Sequence, residues 1–166
     1  MNKKRYTLAI TAGIGSLCLT AFQSQIRLPI IVYNASGSVP IGYYRVSEIT
    51  QLHRGSLVLV RTPDSVRQLA DQRRYLPNSV SMLKAVAALS GDEVCAAGNL
   101  ISINGQPSVT RQIRDRAGRP MPRWNGCRTL QGDEVFLLNK NAPFSFDGRY
   151  FGVVKAQLVL GEAHPL

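Results

Sequence analysis

Residues 81–94 read SMLKAVAALSGDEV, and this stretch decides the fold. Met82 to Leu89 is the most apolar run after the N-terminal thirty or so residues. Its length and bounded apolar character suit a buried β-strand. One charged residue, Lys84, interrupts it, and Glu93 to Ala96 opens a second candidate strand. Working outward, Leu28–Tyr33, Ile41–Val46, Gly55–Arg61, Leu100–Ile103, Glu134–Leu138 and Phe151–Leu160 also read as strands. Asn104-Gly105 between Ile103 and Gln106 predicts a tight hairpin. One helix interrupts the pattern. Thr62 is its expected N-cap and Pro63 its first residue, Val66, Leu69 and Ala70 recur at helical spacing, and Leu76-Pro77 predicts an end near Tyr75. The expected fold class is all-β, mainly antiparallel, with one short helix.

The N-terminus has a different character. Met1 to Arg5 carry Lys3, Lys4 and Arg5, and Tyr6 to Ile26 contain no charged residue. A helix of that length spans about 30 Å, the thickness of a hydrocarbon core. Basic residues ahead of such a span favour a cytoplasmic N-terminus. A cleaved secretory signal, a retained anchor and a buried core helix all compete for this segment. Leu19 and Phe22 fall where a cleavage site wants small residues, which favours a retained transmembrane helix. The expected organisation is a basic tail at 1–5, an anchor or signal at 6–26, and an exported domain at 27–166 with a basic insertion at about 108–130.

Composition narrows the partners. The formal net charge is +10. Setting aside Lys3, Lys4 and Arg5, 17 basic residues face 10 acidic ones. That excess suits an anionic membrane surface, an acidic partner or a solvated basic face. The chain lacks the aromatic-interleaved basic motifs of nucleic-acid binders, so no direct nucleic-acid contact is expected. Arg111, Arg114, Arg116, Arg119, Arg123 and Arg128, broken by Gly118, Pro120 and Pro122, read as a basic loop that binds lipid headgroups or substrate, or is simply solvated. An oxidising compartment predicts a disulfide between Cys95 and Cys127, which would stabilise the domain by about 3–4 kcal/mol through loop closure. Neither His53 nor His164 lies at a ligand spacing from a cysteine, so no metal and no cofactor are expected.

The scarcity of histidine also argues against a Ser-His-Asp triad. A lysine can replace histidine as base once it is deprotonated. Lys84 lies in an apolar run, where desolvation disfavours the ammonium form. It is equally readable as an edge-strand lysine that blocks sheet aggregation. Ser38, in Ser36-Gly37-Ser38-Val39-Pro40, sits in a turn that can project a hydroxyl into a cleft, although such residues also make ordinary turns.

Together these segments resemble the signal-peptidase family of serine peptidases. Ser36-Gly37-Ser38-Val39-Pro40 is similar to the nucleophile box Ser-x-Ser-Met-x-Pro, with Val39 in place of Met and Pro40 one position early. Residues 84–94 resemble the lysine box Lys-Arg-Val-x-Gly-x-Pro-Gly-Asp-x-Val, with Ala85 for Arg and Ser90 for Pro. Ser145-Phe146-Asp147-Gly148-Arg149 resembles the box Ser-x-Asp-Ser-Arg. Asn34 to Tyr44, Arg74-Tyr75-Leu76-Pro77, Gly91 to Cys95 and Asn104-Gly105 bring the chain nearer the conjugative-transfer peptidases of the TraF type.

The resemblance implies a fold of coiled antiparallel sheets and an acyl-enzyme mechanism. It gives Ser38 as nucleophile and Lys84 as general base, with Ser36 and the Ser38 N–H as the oxyanion hole. Ser145 would orient the lysine, and Asp147 and Arg149 would form a structural ion pair. It implies a small-residue pocket walled by Ile41, Met82 and Leu83, and an apolar run that faces the membrane. It places the protein in the bacterial inner membrane with its catalytic domain in the periplasm. The implied partners are a pilin precursor or other exported polypeptide, membrane lipid and other proteins of a conjugation apparatus. Pilin cyclisation is a further implied outcome. A non-catalytic assembly protein and a general leader peptidase are the competing readings.

Overall fold

The computed structural model describes residues 30–166. The expected tail at 1–5, the segment at 6–26 and Leu28 lie outside the described residues. Among the described residues no helix is long and apolar enough to cross a membrane.

The chain forms β1 (Ile30–Asn34), β2 (Gly42–Ser47), β3 (Leu57–Val60), α1 (Asp64–Gln72), β4 (Met82–Ala88), β5 (Glu93–Ala97), β6 (Leu100–Ile103), β7 (Gln106–Thr110), β8 (Gly126–Thr129), β9 (Glu134–Leu137), α2 (Gly148–Phe151), β10 (Val154–Lys155) and β11 (Val159–Pro165). A seven-stranded sheet runs in the order β1-β2-β11-β3-β4-β9-β10, and a four-stranded sheet in the order β7-β6-β5-β8. Neighbouring strands pair antiparallel throughout both sheets.

Strand β4 holds the centre, between β3 and β9. Alternation along a strand sends Met82, Lys84 and Val86 to one face and Leu83 to the other. Met82 and Val86 pack with Val58, Val60, Val135 and Leu137, while Leu83 packs with Tyr44, Val46 and Leu59. Each large apolar side chain so buried stabilises the fold by about 1.5–3 kcal/mol. The expectation that this apolar run faces the membrane is corrected: its side chains are mostly buried in these two clusters, so it forms core. The exposed large apolar residues include Ile31, Tyr33, Ile41, Tyr43, Val80 and Phe144.

The small sheet contains the expected hairpin. Asn104 and Gly105 have φ of 50° and 73°, the left-handed pair that a two-residue turn requires, and Ile103 pairs with Gln106 across it. Cys95 and Cys127 are register partners in β5 and β8 and are joined by a disulfide. Every residue of β8 is exposed, so this strand is held by its ladder and the disulfide rather than by packing. Asp92, in the β4–β5 turn, joins the sheets by accepting hydrogen bonds from Arg54, Leu89 N and Asn104 Nδ2.

Other boundaries differ from expectation. Pro63 occupies the N-cap position of α1, and the Thr62 hydroxyl, buried and without a partner among the described residues, does not cap it. The helix stops at Gln72 because Arg74 turns left-handed, at φ 58°, and Tyr75 N bonds back to Ala70 O at 2.8 Å. Phe151–Leu160 is not one strand. Gly152, at φ 78°, ends α2, and β10 and a 3₁₀ turn at Ala156–Leu158 separate it from β11. Strands β7 and β8 flank the basic insertion, and both lack the continuous apolar run that marks the others.

Candidate active site

The loop 35–41 joins β1 to β2 and carries Ser36 and Ser38. Asn34, the last residue of β1, organises it. Its Oδ1 accepts from Ser36 N at 3.1 Å, an Asx turn, and from Ser36 Oγ at 2.8 Å. Its Nδ2 donates to Ser36 O, Val39 O and Pro40 O at 2.8, 3.0 and 3.0 Å. Two hydrogens serve three carbonyls, so one is shared. Tyr44 pins the exit of the loop by donating to Pro40 O at 2.7 Å. The loop is thus held by side chains on both flanking strands.

Ser38 Oγ lies 2.9 Å from Ser36 Oγ. Since the Ser36 proton goes to Asn34 Oδ1, Ser38 donates in this pair. Lys84 is 4% exposed, and its Nζ donates to Ser145 Oγ at 2.8 Å. The Ser36–Ser38 and Lys84–Ser145 pairs face one cavity of about 980 Å³, whose lining includes all four residues. Among the described residues Ser38 and Lys84 do not bond each other directly. Met82 and Leu83 line this cavity as expected; Ile41 does not, being 65% exposed at the outer end of the loop. Val32, Leu59, Ala142 and Phe146 supply further apolar wall.

Burial lowers the Lys84 pKa from 10.5 to about 8. The charge of Asp147 works against this shift and that of Arg149 adds to it. The two partners neutralise each other. Arg149 Nε donates to Asp147 Oδ1 at 2.8 Å and Nη2 to Oδ2 at 3.1 Å, with both side chains almost wholly buried. Asp147 is therefore committed to Arg149 and makes no ion pair with Lys84. That leaves the buried ammonium without a counter-charge of its own, so desolvation dominates and favours the free amine.

A residue that sequence reasoning missed links these parts. Asn139 Oδ1 accepts from Ala85 N at 2.9 Å and its Nδ2 donates to Leu83 O at 3.1 Å, one contact on each side of Lys84. Its backbone N–H donates to Asp147 Oδ2 and its carbonyl accepts from Arg149 Nη2. Gly148 follows Asp147 at a point where a Cβ would meet Leu137 O at 2.7 Å, so no side chain fits. The signal for Asn34 and Asn139 was faint: each is a polar residue closing an apolar strand.

A mostly β antiparallel domain with serine hydroxyls and one buried lysine around a single cavity has the makings of a peptidase. The chain belongs to the signal peptidase family, peptidase S26, whose model matches residues 3–166. It is similar to two plasmid transfer proteins TraF of Escherichia coli. One is 30% identical over 169 residues, covering 95% of this chain and 92% of that protein. The other is 30% identical over 173 residues, covering 98% and 96%. Among solved structures, a signal peptidase I from Enterococcus faecalis V583 is 21% identical and pairs 69% of this chain with 98% of its own, at a TM-score of 0.41.

Proposed function

We propose that this chain is a serine endopeptidase with a Ser38–Lys84 dyad, which processes an exported precursor through an acyl-enzyme. The observation that carries this reading is Lys84: a buried lysine whose only side-chain partner among the described residues is the Ser145 hydroxyl, in the cavity that Ser38 lines. A base must give up its proton near working pH, and a pKa of about 8 supplies a usable neutral fraction.

The reaction begins when the Ser38 hydroxyl turns from Ser36 toward Lys84 Nζ. Lys84 takes the proton as Ser38 Oγ bonds to the scissile carbonyl carbon. The Ser38 N–H and the Ser36 hydroxyl stabilise the oxyanion, for which Ser36 must release Asn34 Oδ1. The tetrahedral intermediate collapses, the C–N bond breaks, and Lys84 returns its proton to the leaving amine. Water then attacks the ester to give hydrolysis. An amine held in its place gives a new peptide bond and, when it belongs to the same chain, a circular product.

The relatives named for plasmid transfer support a pilin precursor of a conjugation apparatus as substrate. The uncharged stretch Tyr6–Ile26 supports a membrane anchor with a periplasmic domain, because β1 starts four residues later at Ile30. The exposed Ile31, Tyr33 and Tyr43 around that entry suit an interfacial position. The test is precursor processing by wild type, Ser38→Ala and Lys84→Ala, read by mass spectrometry. Loss in both folded variants supports the dyad, and a product lighter by one water than the linear chain shows cyclisation. Processing that survives both substitutions hands the reading to a non-catalytic assembly protein.

A further inference from the structure

The basic insertion does not hang free in solvent. Tyr75 donates to Asp115 Oδ2 at 2.5 Å, Arg73 Nη1 to Pro120 O at 2.8 Å, and Gln112 N to Tyr150 Oη at 3.1 Å. These bonds clamp it to the end of α1 and to α2. Its Arg114, Arg116 and Arg119 thereby join Arg73 and Arg74, which follow α1, in the wall of the same cavity that Ser38 and Lys84 line. The carboxylate on that wall is Asp115, already engaged by Arg119 at 2.7 Å and by Tyr75. Among the described residues the other four arginines form no ion pair. Arg73 and Arg114 donate to backbone carbonyls, which are neutral, and Arg116 lies over the Phe144 ring at 5.2 Å.

We infer that this wall is a carboxylate-binding subsite that selects polypeptide substrates carrying an acidic side chain or a free C-terminal carboxylate within reach of the scissile bond. Guanidinium groups bind carboxylates with paired, directional hydrogen bonds, and a preformed set loses little freedom on binding. The subsite deepens the peptidase reading and rests on it for its role in catalysis. A polypeptide is favoured over lipid because the arginines surround a concave cavity rather than covering a face.

The test uses full-length Ser38→Ala protein in neutral detergent and fluorescein-labelled decapeptides. The peptides differ only in Glu against Gln at each position, and each is made with a free or an amidated C-terminus. Anisotropy should show one Glu position, or the free terminus, binding on the order of tenfold tighter than its neutral counterpart. The difference should shrink at high salt and disappear in Arg114→Gln/Arg116→Gln or Arg73→Gln/Arg74→Gln protein, with circular dichroism confirming the fold. Which series shows the effect separates side chain from terminus. Equal affinity across the set, no binding at all, or a difference that survives both double variants overturns the subsite. Retention of the arginine-dependent binding only by phosphatidylglycerol vesicles also overturns it, in favour of lipid. Failure of the peptidase reading looks different: wild type and Ser38→Ala would then treat every precursor alike, whatever the peptides do.

Discussion

Asn139 grips the backbone on both sides of Lys84, accepting from Ala85 N at 2.9 Å and donating to Leu83 O at 3.1 Å. Since β4 fixes where the lysine stem begins, Asn139 would position Lys84 for the role of base proposed above. Asn139→Ala should lower kcat on the order of tenfold to a hundredfold with little change in KM, because small misplacements of a reacting group are costly. Lost hydrogen bonds should also lower stability by about 1–3 kcal/mol. A shifted pH profile would mark positioning; an unchanged profile with only a lower Tm would mark a structural role.

The pH dependence follows from the same lysine. With a Lys84 pKa of about 8, kcat/KM should climb as pH approaches that value and level off above it. Stability should follow the same group. Between about 8 and 10.5 the unfolded chain holds the Lys84 proton and the native chain does not, so wild-type stability gains as pH rises through that window. Below it the ammonium is buried and the full penalty applies. Lys84→Met should therefore be inactive yet more stable than wild type near neutral pH, by at most about 3 kcal/mol. Urea titrations of both proteins at several pH values measure the gap, and one that does not narrow at alkaline pH sinks the argument.

The loop 35–41 gives a chemical contrast at one position. Asn34→Ala removes donors and acceptor alike. Asn34→Asp keeps the acceptor but aims a carboxylate at the carbonyls of Ser36, Val39 and Pro40. The aspartate variant should be the less active and the less stable, with a difference of about 1–2 kcal/mol in unfolding free energy. The opposite order would mean that the Nδ2 contacts do not hold the loop.

Gly148→Ser would restore the residue usual in its motif and still be harmful. Its Cβ would come 2.7 Å from Leu137 O and 2.8 Å from Phe136 Cε2. A backbone oxygen cannot yield as a flexible side chain can, so a loss of about 1–3 kcal/mol is expected. Thermal unfolding reads it, and a Tm equal to wild type would refute the steric argument.

Removing the disulfide by Cys95→Ala/Cys127→Ala should lower stability by about 2–4 kcal/mol. The change should be local in origin. Strand β8 packs no buried side chain, so its amides should lose hydrogen-exchange protection before those of β4. Uniform loss across both sheets would contradict this.

The central strands were legible because they are apolar and bounded. Leu100–Ile103 matched to the residue, and Met82, Glu93 and Glu134 open their strands as expected. Strands β7 and β8 were not legible, since the first carries Pro107 and the second is GCRT, exposed throughout. The Phe151–Leu160 run misled because its apolar content spans a helix end, a two-residue strand and a 3₁₀ turn. The motifs singled out Ser36, Ser38, Lys84 and Ser145, which the fold brings to one cavity. Asn34 and Asn139 act through backbone atoms distributed along other segments, a pattern that spacing does not record.

Strand β11 lies between β2 and β3, so the hairpin bearing Ser38 is joined to the strands bearing Lys84 by residues 159–165, which follow every other element in the chain. Until that ribbon docks, the two halves of the cavity share no ladder. Both Ser38 and Lys84 precede that ribbon in the chain, so synthesis from the N-terminus makes them before the strand that joins their halves of the sheet. The site is therefore completed by the last strand to be made, and shortening the chain before Val159 should leave two unassembled halves rather than a weakened whole.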